Sequence, residues 1–191
     1  MRVVGGEERG RRFDAPPGRT TRPTSDRVRE AIFGVLGSLP IEMVGASVAD
    51  LFAGSGAFGI EALSRGAERV TFVERDRLAV ATIRHNLDSL GLDDARAVVA
   101  CTDTLRWLGT APPVDLVLCD PPYAFSQWPM LLGLLRAVSG VAVLETGGPL
   151  DLGGDWEVLR EKQYGGTVVL VARPVPPSVP AQRPDQPTIG R

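Results

Sequence analysis

The chain has 191 residues, of which 43% are hydrophobic and 23% charged, a composition typical of one globular domain with a substantial core. No stretch approaches the roughly 20 consecutive apolar residues of a membrane-spanning helix, and the N-terminus lacks the apolar run of a secretory signal. We therefore expect a cytoplasmic protein without a membrane partner. With two cysteines and one histidine, a zinc centre is disfavoured. We expect no metal, and we expect Cys101 and Cys119 to be buried thiols.

The net charge of −2 is distributed unevenly along the chain. Residues 1–30 contain eight arginines and five acidic residues, so this part carries +3 and the remainder −5. A basic N-terminal segment on a mildly acidic body predicts a polyanionic partner that is reached through the N-terminus.

Residues 2–13 are interpreted as two short strands around a turn at Gly5 and Gly6, and residues 15–23 as a proline-broken loop. The sequence TSDRVREAIFGVLGSL that follows predicts an amphipathic helix. From Ser47 onward, strand-like and helix-like segments alternate. The strand-like segments are SVADLFA, RVTFVE, ARAVVAC, VDLVLC and VAVLE, and a closing hairpin is predicted from WEVLREKQY and GTVVLVARP.

Near-continuous apolar strands that alternate with helices predict an α/β, Rossmann-like fold, in which a parallel sheet is covered on both faces. The closing hairpin adds two antiparallel strands, so the expected sheet has seven strands and is mostly parallel. We divide the chain into a basic hairpin arm at 1–23, a main domain at 24–173 and a tail at 174–191. The tail contains six prolines and is expected to be disordered.

GSGAFG, residues 54–59, is a G-x-G-x-x-G motif directly after the first strand of the alternating part. Gly54 and Gly56 allow a tight turn and a close approach of the backbone to a ligand. Glu74 ends the second strand, where its carboxylate is placed to accept hydrogen bonds from both hydroxyls of a ribose. These residues fit NAD and an adenosine-containing methyl donor equally well.

Three further features favour the methyl donor. Asp50 lies at the carboxyl end of the first strand, where a carboxylate would repel a pyrophosphate but attract a cationic sulfonium cofactor with an α-amino group. Asp103 follows the third strand and is placed to accept from an adenine amino group. The fourth strand ends in DPPY, whose two prolines fix the backbone so that Asp120 and the Pro121 carbonyl point into the mouth of the sheet. Tyr123 then offers a flat face to a base.

The ordered set DLFAGSGAFGIEALSRGA, FVERD and CDPPY resembles the S-adenosylmethionine-dependent amino-methyltransferases, which modify exocyclic nitrogens of bases. MRVVGGEERGRRF…RPTSDRVREAIFGVL and YGGTVVLV narrow the resemblance, over residues 1–173, to the bacterial RsmD family, which methylates N2 of a guanine in 16S ribosomal RNA. The resemblance implies a class I methyltransferase fold, S-adenosylmethionine as cofactor, and 16S rRNA in the assembled small ribosomal subunit as partner. The main domain at 24–173 is then the methyltransferase domain, with a monomer as the expected state.

The resemblance also implies roles for individual residues. The Asp120 carboxylate and the Pro121 carbonyl would accept hydrogen bonds from the guanine amino group, Pro122 would fix the backbone, and Tyr123 would stack on a flipped base. The residues assigned to the cofactor are Asp50, Phe52, Gly54, Ser55, Gly56, Glu74, Arg75, Asp103 and Thr104. The arginines expected to contact RNA phosphates are Arg9, Arg11, Arg12, Arg27 and Arg29.

Other functions stay open on the sequence alone. A DNA or RNA adenine-N6 methyltransferase, or a DNA cytosine-N4 methyltransferase, also uses DPPY, although 191 residues leave no room for the target-recognition domain typical of the DNA enzymes. A protein-glutamine methyltransferase uses a related Asn-Pro-Pro-Tyr motif, whose first residue is Asp here. A non-catalytic RNA-binding subunit is an alternative of another class, against which Asp50, Glu74 and Asp120 argue. Nothing resembles a hydride-transfer site, which disfavours an NAD oxidoreductase.

Overall fold

The computed structural model describes residues 1–16, 26–92 and 95–176. In these ranges the chain alternates between helices and strands as the sequence predicts, with one further short helix, Thr104–Leu108, that the sequence does not predict. The elements are α1 (Asp26–Leu36), β1 (Ser47–Leu51), α2 (Ala57–Ser64), β2 (Arg69–Glu74), α3 (Arg77–Leu90), β3 (Ala97–Cys101), α4 (Thr104–Leu108), β4 (Val114–Cys119), α5 (Trp128–Val138), β5 (Ser139–Thr146), β6 (Trp156–Tyr164) and β7 (Thr167–Pro174).

The strands form one sheet in the order β3-β2-β1-β4-β5-β7-β6. The first five strands are parallel, whereas β7 is antiparallel to both β5 and β6, so the predicted seven-stranded sheet is confirmed. The strand order reverses between β1 and β4, where Leu51 at the end of β1 is in register with Cys119 at the end of β4. The loops after these two strands therefore leave the sheet side by side, at the switch point where open α/β sheets bind ligands.

Each face of the sheet carries its own hydrophobic core. On one face, Val48 packs with residues of α1, α2 and α3, such as Ile32, Ile60 and Ile83. On the other face, Leu51 packs with residues of α4 and α5. Because both faces are covered, alternate residues of a strand are equally apolar, and this accounts for the near-continuous apolar runs in the sequence.

Local signals set the ends of α3. The carboxylate of Asp76 accepts a hydrogen bond from Leu78 N at 2.8 Å, which caps the helix start. Gly91 follows the last turn in the left-handed region, with φ 63°, a conformation that costs glycine little. Glycine at this position therefore ends the helix.

The N-terminal segment, residues 1–16, is packed onto the domain rather than projecting from it. Arg2 and Arg12 form an antiparallel bridge, and Val3 and Phe13 are buried in the core on the face of α2. Gly5 and Gly6 open the predicted turn, since Gly6 has φ 75° and its carbonyl accepts from Arg9 N at 3.4 Å, and the turn continues through residues 7–10. The two glycines also pass close to α2, since a Cβ on Gly6 would lie 1.9 Å from the Ser64 carbonyl oxygen.

The contacts of the two ends bear on the predicted domain limits. Residues 1–16 share a hydrophobic core with the rest of the fold. At the other end, Pro174 belongs to β7 and Val175 N donates to Asp155 O at 2.9 Å, so residues 174 and 175 pack with the main domain. The rest of the predicted tail, from residue 177, lies outside the described residues, as does most of the predicted loop at 15–23.

Within the described ranges, no helix is both long and apolar enough to span a bilayer. The same residues contain no group of three or more His, Cys, Asp or Glu side chains arranged to hold a metal ion. Cys119 is buried, as predicted, but Cys101 is exposed, so the predicted burial of that thiol is wrong. Cys101 ends β3, which lies at the edge of the sheet and has only one neighbouring strand.

Candidate active site

The glycine loop between β1 and α2 turns sharply at the carboxyl edge of the sheet. Gly54 and Gly56 have φ values of 57° and 80°, and Gly56 N donates to Ala53 O at 2.7 Å. Phe52 also has a positive φ, 57°, which no other non-glycine residue in the described part of the chain adopts. A phenylalanine in this region costs about 1–3 kcal/mol and persists where the surroundings impose it, commonly at ligand sites.

Two carboxylates hold this loop in place. Asp50 is buried, and its Oδ2 accepts a hydrogen bond from Gly59 N in the first turn of α2 at 2.8 Å. Glu74, at the end of β2, accepts from Gly54 N at 3.0 Å and from Asp76 N at 2.8 Å. Backbone hydrogen bonds therefore join the glycine motif to Asp50 and Glu74, which are both predicted cofactor residues.

The loop and its neighbours form a region of negative potential. Burial raises the pKa of Asp50 well above its ordinary value, the hydrogen bond from Gly59 lowers it, and the charges of Asp120 and Glu74 raise it again. The three carboxylates come from the ends of β1, β2 and β4, which the sheet order brings together. We call the opening at these strand ends, with Asp50, Glu74 and Asp120, the mouth. Such a site favours a cationic ligand and disfavours a pyrophosphate.

The DPPY segment follows β4 on the other side of the switch point. Asp120 is half-buried, Pro121 is buried, and Pro122 is exposed and accepts from Phe125 N at 2.8 Å. Tyr123 is 85% exposed, so its ring is accessible for stacking. Its hydroxyl donates to Gly147 O at 3.3 Å, which holds the ring against the loop after β5.

Gly147 is a site residue that the sequence does not identify. A Cβ at this position would lie 2.6 Å from Cζ of Tyr123, so only glycine allows the ring its observed place. The neighbouring Gly148 has open space in the corresponding direction. The contact joins loops after two different strands, and for this reason no local pattern reveals it.

An aromatic cluster connects the glycine loop to the DPPY segment. Phe52 meets Phe125 edge-on with ring centroids 5.3 Å apart, and Phe125 meets Trp128 at 5.4 Å. These contacts fix the strained Phe52 against the loop after β4. Phe58, although it lies within the glycine motif, is buried in the core against Phe33 and does not line the mouth.

The remaining predicted cofactor residues lie around the same edge. Asp103 caps α4, with Oδ1 accepting from Leu105 N at 3.0 Å and Arg106 N at 3.2 Å. Thr104 is buried, Arg75 is exposed, and Ser55 is half-buried in the glycine loop.

Asn86 is a second residue that the sequence does not identify. Its buried amide donates to Ser55 O at 3.0 Å and to Asp14 O at 3.0 Å. Its Oδ1 accepts from Asp14 N at 2.8 Å. Asn86 therefore ties the glycine loop of the mouth to the N-terminal segment.

The five predicted RNA-contacting arginines divide into two groups. Arg9, Arg12 and Arg27 are exposed. Arg11 instead donates to the Ser89 and Leu90 carbonyls at the end of α3 and to Glu8. Its guanidinium therefore satisfies the last carbonyls of a helix.

The prediction that Arg29 contacts RNA is wrong. Its side chain is fully buried, donates to Arg2 O and to Asp26 Oδ1, and lies with Nε 3.8 Å from Glu61 Oε2. Glu61 is also fully buried and accepts from Val4 N and from Arg65. Arg29 therefore belongs to a charged network that fastens the N-terminal segment to α1 and α2.

The sheet order, the glycine loop after β1 and the Asp-Pro-Pro-Tyr segment after β4 define a class I methyltransferase fold. The family model described as "Conserved hypothetical protein 95" matches residues 1–173, and the chain belongs to this family. The Escherichia coli protein "Ribosomal RNA small subunit methyltransferase D" is 35% identical over 175 residues, which are 86% of this chain and 85% of that protein. The predicted membership of the RsmD family is thereby confirmed.

Two further comparisons cover nearly the same part of the chain. A Bacillus subtilis relative is 38% identical over 183 residues, covering 90% of this chain and 97% of its own. A solved Escherichia coli structure matches with a TM-score of 0.79 at 31% identity, over 91% of this chain and 97% of its own. The similarity therefore includes the N-terminal segment and the C-terminal hairpin together with the central sheet.

Proposed function

We propose that the chain transfers a methyl group from S-adenosylmethionine to the exocyclic N2 of a guanine in small-subunit ribosomal RNA. The observation that carries the proposal is the convergence of Asp50, Glu74 and Asp120 on the glycine loop at the switch point, beside the exposed ring of Tyr123. The name of the Escherichia coli relative, a ribosomal RNA small subunit methyltransferase, supports the same reading.

The residues at the mouth fit S-adenosylmethionine better than a dinucleotide. A buried Asp50 whose charge is opposed by two neighbouring carboxylates favours a cationic ligand, and a sulfonium with an α-amino group has that charge. Asp50, Phe52, Gly54, Ser55 and Gly56 would hold the amino-acid end. Glu74, Arg75, Asp103 and Thr104 would hold the nucleoside end. When bound, S-adenosylmethionine supplies an electrophilic methyl group on a positively charged sulfur.

Asp120 and the Pro121 carbonyl orient the nucleophile. Both accept hydrogen bonds from the guanine amino group, which sets the direction of the nitrogen lone pair. The proline pair limits the freedom of this backbone, so the acceptors are in place before the base arrives. The nitrogen loses its proton only after the new N–C bond has formed, so Asp120 need not be a strong base.

Tyr123 provides the stacking surface. An exocyclic nitrogen inside a stacked helix is out of reach of the mouth, so the target nucleotide must leave its stack. An accessible ring next to Asp120 compensates part of that cost by stacking on the flipped base. Gly147 leaves the space that this ring position requires.

Basic residues outside the mouth bind the RNA. Arg9, Arg12 and Arg27 are exposed and would contact phosphates, which gives affinity with little sequence information. A monomer of this size reads few bases by itself. We propose that the assembled small subunit in the cytoplasm supplies the remaining recognition.

The test is methyl transfer from a tritiated donor to three substrates: unmodified small subunits, protein-free 16S rRNA and duplex DNA. Nucleoside mass spectrometry identifies the product. The proposal expects N2-methylguanosine from the small subunits and little transfer to DNA. N6-methyladenine as the product would show that the target base is wrong. Absence of donor binding, measured by calorimetry, would instead favour a non-catalytic RNA-binding subunit.

A further inference from the structure

A β-bulge in the outer strand β6 changes the face of the sheet toward which its alternate side chains point. The irregularity lies between Val158 and Arg160, and Trp156 before it packs into the core on the side of α5. Beyond the bulge, Arg160 and Lys162 pair with residues of β7 that face the core on the side of α1. The bulge therefore directs two basic side chains toward α1.

A cleft separates these side chains from α1. Its volume is about 380 Å³, and its β6 wall is formed by Arg160, Lys162 and Tyr164. Its α1 wall is formed by Val35 and three small residues, Ala31, Gly34 and Ser38. Gly34 has open space where a Cβ would stand, so the helix leaves the cleft unobstructed.

The charges around the cleft are predominantly basic. Arg160 and Lys162 form no ion pair within the described part of the chain, whereas Arg136 and Arg173 are paired with Asp155 and Glu157. On the stripe of α1 that lines the cleft, the exposed Arg27 lies one turn before Ala31 and the exposed Glu30 one turn before Gly34, so three basic side chains surround the cleft against one acidic side chain. An arginine, a lysine and a tyrosine hydroxyl together suit phosphate oxygens.

The Tyr164 end of the cleft lies at the edge of the sheet that carries the mouth. Tyr164 pairs with Thr167 at the start of β7, and the adjacent Val168 pairs with Thr146 at the end of β5. Strand β6 is three strands from β4, a separation of about 14 Å at ordinary strand spacing. Nucleotides that flank a base held at Asp120 lie at such a distance.

We propose that the α1–β6 cleft binds the sugar–phosphate backbone of the substrate RNA next to the target nucleotide, through Arg160 and Lys162. This inference rests on the proposed function and extends it from the mouth to a second contact surface. An RNA backbone, rather than an acidic protein segment, fits because the cleft continues from the edge at which the base would be bound.

The test compares Arg160→Gln/Lys162→Gln with a matched double variant, Arg69→Gln/Arg96→Gln. Arg69 and Arg96 lie at the amino ends of β2 and β3, on the edge opposite the mouth, and form no ion pair within the described ranges. Binding of unmodified, protein-free 16S rRNA is measured from 0.05 to about 1 M salt. Loss of two phosphate contacts should reduce the slope of log K against log salt by about 1.4 to 1.8. Binding at 0.1 M salt should weaken by roughly 25- to 60-fold.

The matched variant should keep the wild-type slope, and both variants should keep the wild-type affinity for S-adenosylhomocysteine. An unchanged slope in Arg160→Gln/Lys162→Gln would overturn the inference. Weakened binding to small subunits but not to free rRNA would also overturn it, in favour of an acidic protein partner. These outcomes are separate from failure of the proposed function, which would appear as a wild-type protein that methylates no RNA substrate.

Discussion

The mouth of the sheet and the N-terminal segment are both rich in charged residues, but they use them differently. At the mouth, Asp50 and Glu74 accept hydrogen bonds from backbone N–H groups, and no basic side chain in the described residues forms an ion pair with either of them. Around the N-terminal segment, Arg29 and Glu61 face each other inside the core, and Arg11 is occupied by helix carbonyls. The first arrangement suits binding and the second suits attachment of a segment.

A high density of basic residues in a sequence therefore does not by itself identify a binding surface. What matters is whether the fold supplies a countercharge. No carboxylate in the described residues forms an ion pair with Arg9, Arg12, Arg160 or Lys162, so the charges of these side chains are available to a partner. Four predictions, taken from the largest effect to the smallest, test this division.

Asp120→Ala should lower kcat for methyl transfer by at least about 10³-fold, because it removes an acceptor that orients the nucleophile. Affinity for S-adenosylhomocysteine should stay within about threefold of wild type. Single-turnover transfer and calorimetry measure the two quantities. Turnover within tenfold of wild type would show that Asp120 is not a catalytic residue.

Glu61→Ala should lower the free energy of unfolding by about 3–5 kcal/mol, because the fully buried Arg29 loses one of its two carboxylate partners and keeps only the half-buried Asp26. Nε and Nη1 of Arg29 have no hydrogen-bond partner among the described residues, so the side chain has little other compensation. Urea unfolding measures the change, with the exposed Glu68→Ala as the matched control. A loss below 1 kcal/mol would mean that the network does not fasten the N-terminal segment.

Gly147→Ala should lower kcat/KM by about tenfold, since the new methyl group displaces the ring of Tyr123 from beside the mouth. The melting temperature should not change, because Tyr123 is exposed and is free to move away. Gly148→Ala, where a Cβ meets nothing, should have wild-type activity. Equal activity of the two variants would exclude a role for the ring position.

Asp50→Asn should stabilise the unliganded protein, and the gain should be larger at pH 7 than at pH 4. Burial raises the pKa of Asp50, so between its unfolded and folded values the native state binds more protons than the unfolded state. Wild-type stability therefore falls as the pH rises through that interval, and asparagine removes this dependence. Urea unfolding at the two pH values measures it. An equal increase in the free energy of unfolding at both pH values would show that the pKa of Asp50 is not raised in the folded protein.

Much of the fold and the mouth follows from the sequence. The alternation from Ser47 predicts the parallel sheet, and residues at the ends of strands, such as Asp50, Glu74 and Asp120, meet because parallel strands end at one edge. The charge of Arg29 predicts an RNA contact, and this prediction is wrong because the side chain is buried. It lies three and four residues before Ile32 and Phe33, on the buried stripe of α1, and this spacing is the signal that indicates its position.

Other features depend on contacts that sequence patterns do not encode. The closeness of Gly147 to Tyr123 depends on which strands are neighbours, and so does the exposure of Cys101 at the sheet edge. Gly5 and Gly6 illustrate a second limit. Gly6 opens the predicted turn and also allows a close approach to Ser64, and the sequence alone does not indicate this second use.

The most direct measurement is nucleoside analysis of small-subunit rRNA from the source organism with this gene deleted and then restored. The account predicts that the deletion removes one N2-methylguanosine from 16S rRNA, that the wild-type gene restores it, and that Asp120→Ala does not. An unchanged content of N2-methylguanosine in all three strains would contradict it.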